Sequence, residues 1–212
     1  MTTDIGPTST RPAAYAPIAI GAVAGLAWAG GFRGFMAEIA GPASTVDWTG
    51  TFVGILLPGV VTGALLGWAE HLRRTGGRRG WRWLALAPLA FVAATPGVLV
   101  SVFTDGGLGG GAIAVPLFAM AGGYAVSGRG RGWTRALAGI VAISPMVGWA
   151  VAAGAIGGES LAITTPRGAW VALLFASAVA VLALGCAIPH RPVVRPAEPV
   201  GFRGVAERQA SS

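Results

Sequence analysis

The chain has 212 residues, 54% of them hydrophobic and 11% charged, with a mean hydropathy of +0.68 and a net charge of +7. Soluble domains carry about 25% charged residues, so a single soluble core is excluded and a membrane protein is expected. All 15 basic residues are Arg, which leaves no Lys amine for a Schiff base, and the lone Cys186 excludes an intramolecular disulfide or a thiolate metal cluster.

The 35 glycines follow no three-residue period, so the chain is not collagen-like. The absence of Lys beside abundant Ala, Gly and Val fits a bacterial chain from a GC-rich genome.

Residues 1–14 are polar and read as a disordered tail. Apolar segments follow at 15–36, 50–70, 82–103, 108–127, 134–156 and 168–188, each about 20 residues and long enough to cross a bilayer. Residues 189–212 form a Pro- and Arg-rich tail. The expected fold is an all-α bundle of six transmembrane helices, 15–188, with short loops. A cleaved signal peptide is the rival for the first segment. Its flank carries one acid and one base, Asp4 and Arg11, and its apolar run exceeds a signal core, so a retained helix is expected.

Orientation follows from Arg placement. Six spans put the N-terminal tail, the loops 71–82 and 127–135 and the C-terminal tail on one side. That side then holds every Arg except Arg33 and Arg167. Positive residues mark the cytoplasm, so both termini are expected inside. The pI near 11.4 is explained by the same loops, and no nucleic-acid partner is expected. The basic rim is expected to attract anionic lipids. Trp81, Trp83 and Trp133 on the inner side, with Trp48 and Trp170 on the outer, read as interfacial belts.

Within the first segment Arg33 lies about 27 Å along the helix from Tyr15, just below the outer surface. On a helical wheel it shares a side with Ala22, Leu26, Ala29, Gly30 and Ala37, while Trp28 and Phe35 lie opposite. Small residues mark helix contacts in lipid, so Arg33 is expected to face the bundle, with Trp28 and Phe35 toward lipid. Glu38 is rotated by about 140° and is not its natural partner. Asp47 is the better candidate, either in a structural ion pair or beside an anion-binding pocket.

In the second segment Gly59, Gly63 and Gly67 form a stripe that offers a packing face, including for an oligomer. Glu70 lies near that stripe, either as a rim carboxylate paired with Arg74 at i+4 or as a proton or cation site. Pro58, Pro88, Pro96, Pro116 and Pro145 interrupt the middle helices and can free carbonyls for ligands. Two Arg-Gly-Trp triplets, at Arg79 and Arg131, each open an apolar helix and hint at a repeated hairpin. The Gly-rich stretch 103–116 lacks the Gly-Lys-Ser/Thr of a phosphate loop and reads as a tight turn.

His71 and His190 match no zincin or Ser–His arrangement, so neither a metal nor a cofactor is expected. Arg33, Asp47 and Glu70 remain as candidate binding residues. The first functional expectation is a small transporter or permease-like protein of the bacterial cytoplasmic membrane. The alternatives are a non-catalytic membrane subunit or assembly factor, and a lipid-handling enzyme using Arg33 with Glu38 or Asp47.

Overall fold

The computed structural model describes residues 14–94 and 110–194, and all regular structure among them is helical. Helix α1 is Tyr15–Ala40. A π-helical stretch, Trp48–Leu56, runs into α2, Leu57–Arg74. A 3₁₀ stretch, Trp81–Leu89, leads into the short α3, Ala90–Ala94. Then come α4, Gly110–Val126, α5, Gly132–Gly157, and α6, Pro166–Ala187. Among the described residues four stretches are long and apolar enough to cross a membrane: Tyr15–Ala43, Trp48–Arg74, Gly132–Ala155 and Pro166–His190. Trp81–Ala93 and Ile113–Val126 are apolar but shorter. The outer part of the third expected span, with Pro96, Asp105 and most of the Gly-rich turn, lies outside the described residues.

Local chemistry sets the ends. α1 continues past the expected residue 36 to Ala40 and stops at Gly41, whose left-handed φ of 57° and following Pro42 break the helix. Asp47 caps the next stretch, its Oδ1 accepting from the Gly50 amide at 2.6 Å. Thr165 caps α6 in the same way, accepting from Gly168 at 3.0 Å, with Pro166 in the first turn. Pro58, which has no N–H, falls just where π geometry changes to α.

The most extensive contact joins α1 to α2, antiparallel. Its seam is almost all glycine. A Cβ on Gly63 would collide with the Gly21 carbonyl oxygen, and a Cβ on Gly25 with that of Gly59. Gly67 meets the Pro17 carbonyl in the same manner. Without a hydrophobic drive between helices in lipid, close backbone approach of this kind supplies the attraction. The Gly59/Gly63/Gly67 face is therefore consumed inside the chain. The expectation that it serves an oligomer is corrected, because α1 already covers it. A second tight seam joins α4 to α6, where a Cβ on Gly123 would lie 2.5 Å from that of Cys186.

Beyond Gly25 the buried stripe of α1 changes from glycine to aromatics. Trp28 stacks on Phe32 at 5.5 Å and meets Phe91 edge-on at 5.3 Å. Phe35 stacks on Phe175 at 5.2 Å and meets Trp149 edge-on at 5.7 Å. Trp28 and Phe35 are thus buried, not lipid-facing, while Gly30, Gly31 and Gly34 are exposed. The wheel reading fails for these two rings, which gain more dispersion contact inside the bundle than against mobile lipid tails, while Ala29 of the expected face is buried with them.

Other expectations also change. Trp81 is buried against Ala69, Leu72 and Val193 and does not join a belt, whereas Trp48, Trp83, Trp133 and Trp170 are exposed. The two Arg-Gly-Trp triplets differ locally. The first opens a 3₁₀ helix after a left-handed Gly80, the second an α-helix with an exposed Trp133. The start of the C-terminal tail is docked: the Val194 amide donates to the Arg73 carbonyl at 3.0 Å.

Gly63→Ala should destabilise the purified protein by about 1–3 kcal/mol, the usual cost of overpacking, read as a lower thermal midpoint. Gly30→Ala has open space around it and should be neutral or slightly stabilising. Equal effects at both positions would refute the seam.

Candidate functional site

A lateral groove of about 310 Å³ runs between α1, α2 and α6. Ile20, Gly21 and Ala24 form one wall and Val181 and Gly185 the other, with the glycine seam as the floor. The missing side chains of that seam are what leave the groove open. Its deep end is closed by Trp28, whose Nε1 donates to the Ala178 carbonyl at 2.7 Å. Thr62 also borders it, but its hydroxyl is turned to the Ala87 carbonyl at 3.3 Å. The bordering polar side chains are thus satisfied elsewhere, and the walls are apolar.

The Arg-rich end of the groove carries Glu70 and Arg74. Arg73 grips Glu70 with two bonds, Nε to Oε2 and Nη2 to Oε1, both 2.7 Å. Arg74 adds Nε to Oε1 at 2.6 Å. Bidentate guanidinium–carboxylate pairing is the strongest form of this contact. Arg73 also donates to the Pro192 carbonyl at 3.4 Å, so the fork helps to hold the docked tail. The fork combines two guanidiniums and one carboxylate, leaving a net positive charge at the groove mouth. Arg74 is the accessible cation there, its side chain 60% exposed against 18% for Arg73. Sequence spacing pointed to Arg74 as the Glu70 partner; the equally close Arg73, at i+3, is the better buried of the two.

At the opposite end Arg33, Asp47 and Glu38 each have a different partner. Arg33 Nη2 donates to the Thr45 carbonyl at 2.5 Å. Asp47 is occupied with its helix cap. Glu38 pairs with Arg167, Nε to Oε2 at 3.3 Å, and Arg167 also reaches the Glu38 carbonyl at 2.9 Å. The expected Arg33–Asp47 pair is therefore corrected: the Asp side chain is drawn to the unpaired amides of the helix it starts, and Arg33 meets a loop carbonyl instead. Arg33 is half-buried and ties the end of α1 to the following loop. The Arg33–Glu38–Asp47 grouping behind the enzyme reading is not assembled. Glu38–Arg167 was missed, since the two are far apart in sequence and nothing local links them. The Asp47 and Thr165 caps were legible as a polar residue directly before an apolar helix.

Among the described residues one buried polar side-chain atom is left over. Trp149 Nε1 is buried with no hydrogen-bond partner, against Phe35 and Phe175. Among the described residues no three His, Cys, Asp or Glu side chains gather as metal ligands. No protein-family model, curated protein or solved structure matches the chain.

The Glu38–Arg167 pair and the Glu70 fork should differ in weight. Arg167→Gln breaks an exposed pair and should cost under about 1 kcal/mol. Glu70→Gln strands two guanidiniums and should cost about 1.5–3 kcal/mol, as for hydrogen bonds to charged groups. Thermal unfolding of the two purified variants, compared in one detergent, checks the order.

Proposed function

We propose that the chain is a six-span protein of the bacterial cytoplasmic membrane, with both termini inside, acting as a small permease-like protein for an amphiphilic molecule. The spans comprise the four long apolar helices and the shorter ones at α3 and α4. The placement of Arg at one end supports the orientation. The observation that carries the functional reading is the groove itself. Apolar walls that end at one exposed guanidinium complement a ligand with an apolar body and an anionic head. A hydrophilic solute would find no comparable lining there.

A second reading, a non-catalytic subunit, has its own support. Ala27, Gly30, Gly31 and Gly34 leave a small-residue face on α1 exposed. Such a face suits another membrane helix. Gly30→Leu would then release a co-purifying partner without touching the groove.

The topology is checked with single cysteines in a Cys186→Ser background. Val46→Cys should react with a membrane-impermeant maleimide in intact cells, and Arg131→Cys should react only after lysis. The reverse pattern overturns the orientation.

For the groove, Ala24→Trp places a large ring where the wall is exposed and should weaken binding of a fluorescent single-chain fatty acid to the reconstituted protein at least about tenfold, or 1.4 kcal/mol. Undiminished binding by a folded Ala24→Trp protein would sink the amphiphile reading.

A further inference from the structure

A second concave region lies on the Arg-rich end, away from the groove, in the turn between α2 and the 3₁₀ stretch. Gly76, Gly77 and Gly80 all have left-handed φ, of 94°, 74° and 81°. These glycines let the chain reverse within a few residues, which other L-residues rarely tolerate. The reversal brings Arg78, Arg79 and Arg82 around a hollow of about 500 Å³, bordered also by Trp81 and Trp83. A contiguous hollow, lined by Arg78 and Arg79, descends onto Trp68, Leu72 and Leu84. Charge at the top and apolar side chains beneath are stacked as they are in a phospholipid.

Among the described residues these arginines have no partner. No carboxylate and no hydrogen-bond acceptor meets the Arg78, Arg79 or Arg82 guanidinium among the described residues. Glu70 is taken by Arg73 and Arg74, and Glu38 is taken by Arg167 at the other end. Like charges crowded into one turn repel, and an external anion relieves them. Trp83, 74% exposed, adds an amphipathic ring of the kind that settles at headgroup level.

We propose that this hollow binds the phosphate headgroup of an anionic phospholipid of the inner leaflet, held by Arg78, Arg79 and Arg82 and flanked by Trp83. The guanidiniums take the phosphate oxygens through charge-assisted bonds. The glycerol and first methylenes rest on Trp68, Leu72 and Leu84. Choline headgroups are disfavoured, because the hollow has no carboxylate to meet the quaternary ammonium. The site is independent of the α1–α2–α6 groove and does not rest on its function.

The test uses the full-length protein purified in detergent, titrated with phosphatidylglycerol, phosphatidylcholine or inorganic phosphate. Thermal midpoint and lipid retention in native mass spectrometry are read together. Phosphatidylglycerol should bind about tenfold more tightly than phosphatidylcholine and raise the midpoint. R78Q/R79Q/R82Q should abolish that preference, whereas R129Q/R131Q/R135Q, with the same charge change, should retain most of it. Trp83→Ala should weaken binding severalfold, and it decides the matter if the triple variant does not fold. Equal binding of the two lipids, equal losses in the two triple variants, or full binding by Trp83→Ala when the first triple variant is unfolded would each overturn the proposal. An effect reproduced by inorganic phosphate alone would do the same, since the occupant would then be a free anion.

Discussion

The backbone contact between α1 and α2 is the constraint on which the rest depends. Gly21 and Gly25 meet Gly63 and Gly59 so closely that no Cβ fits on either side. In water such a seam would be a weak core, because glycine buries little apolar surface. In lipid the accounting differs: tails are as apolar as side chains, and close approach with its dispersion contacts decides which helices pair. α6 and the 3₁₀ stretch are placed against this pair, and α4 and α5 join the bundle through α6. α6 packs across α1 through the Trp28–Ala178 bond, and the 3₁₀ stretch packs on α2 through Thr62 and Ala87.

The seam has two further consequences. Helices that touch through glycine leave shallow space along the line of contact, and the apolar groove occupies that space. Farther along α1, aromatic rings take over the buried stripe and the groove closes at Trp28. The change from glycine to Trp and Phe along one helix face thus sets both where the bundle is tightest and where it is open.

Charge is distributed just as unevenly. At one end Glu38, Asp47, Arg33 and Arg167 are spent on loops, caps and each other. At the other end arginines outnumber acids, and after Glu70 is gripped by Arg73 and Arg74 the turn at 76–82 is left with guanidiniums that have no counterion among the described residues. An excess of this kind orients a membrane protein during insertion. Held in a shaped turn, the same residues carry both the proposed topology and the lipid proposal.

The sequence by itself pointed to a membrane and to helices. A chain this apolar cannot hide its surface in one core, and backbone in lipid must satisfy its own hydrogen bonds, so long apolar runs become helices. The ends of the helices at Gly41, Asp47 and Thr165 lie two to four residues from the expected ones, although the caps that set them are local. The glycine stripe on α2 was legible as a packing face, but not what it packs against. Only the tertiary structure decided that its partner is α1, that Trp28 and Phe35 turn inward, that Arg33 meets Thr45 and not Asp47, and that Glu38 meets Arg167. A helical wheel ranks faces by side-chain size, whereas which face is buried depends on the shape of the neighbour, and that neighbour is chosen by contacts between residues far apart in the chain.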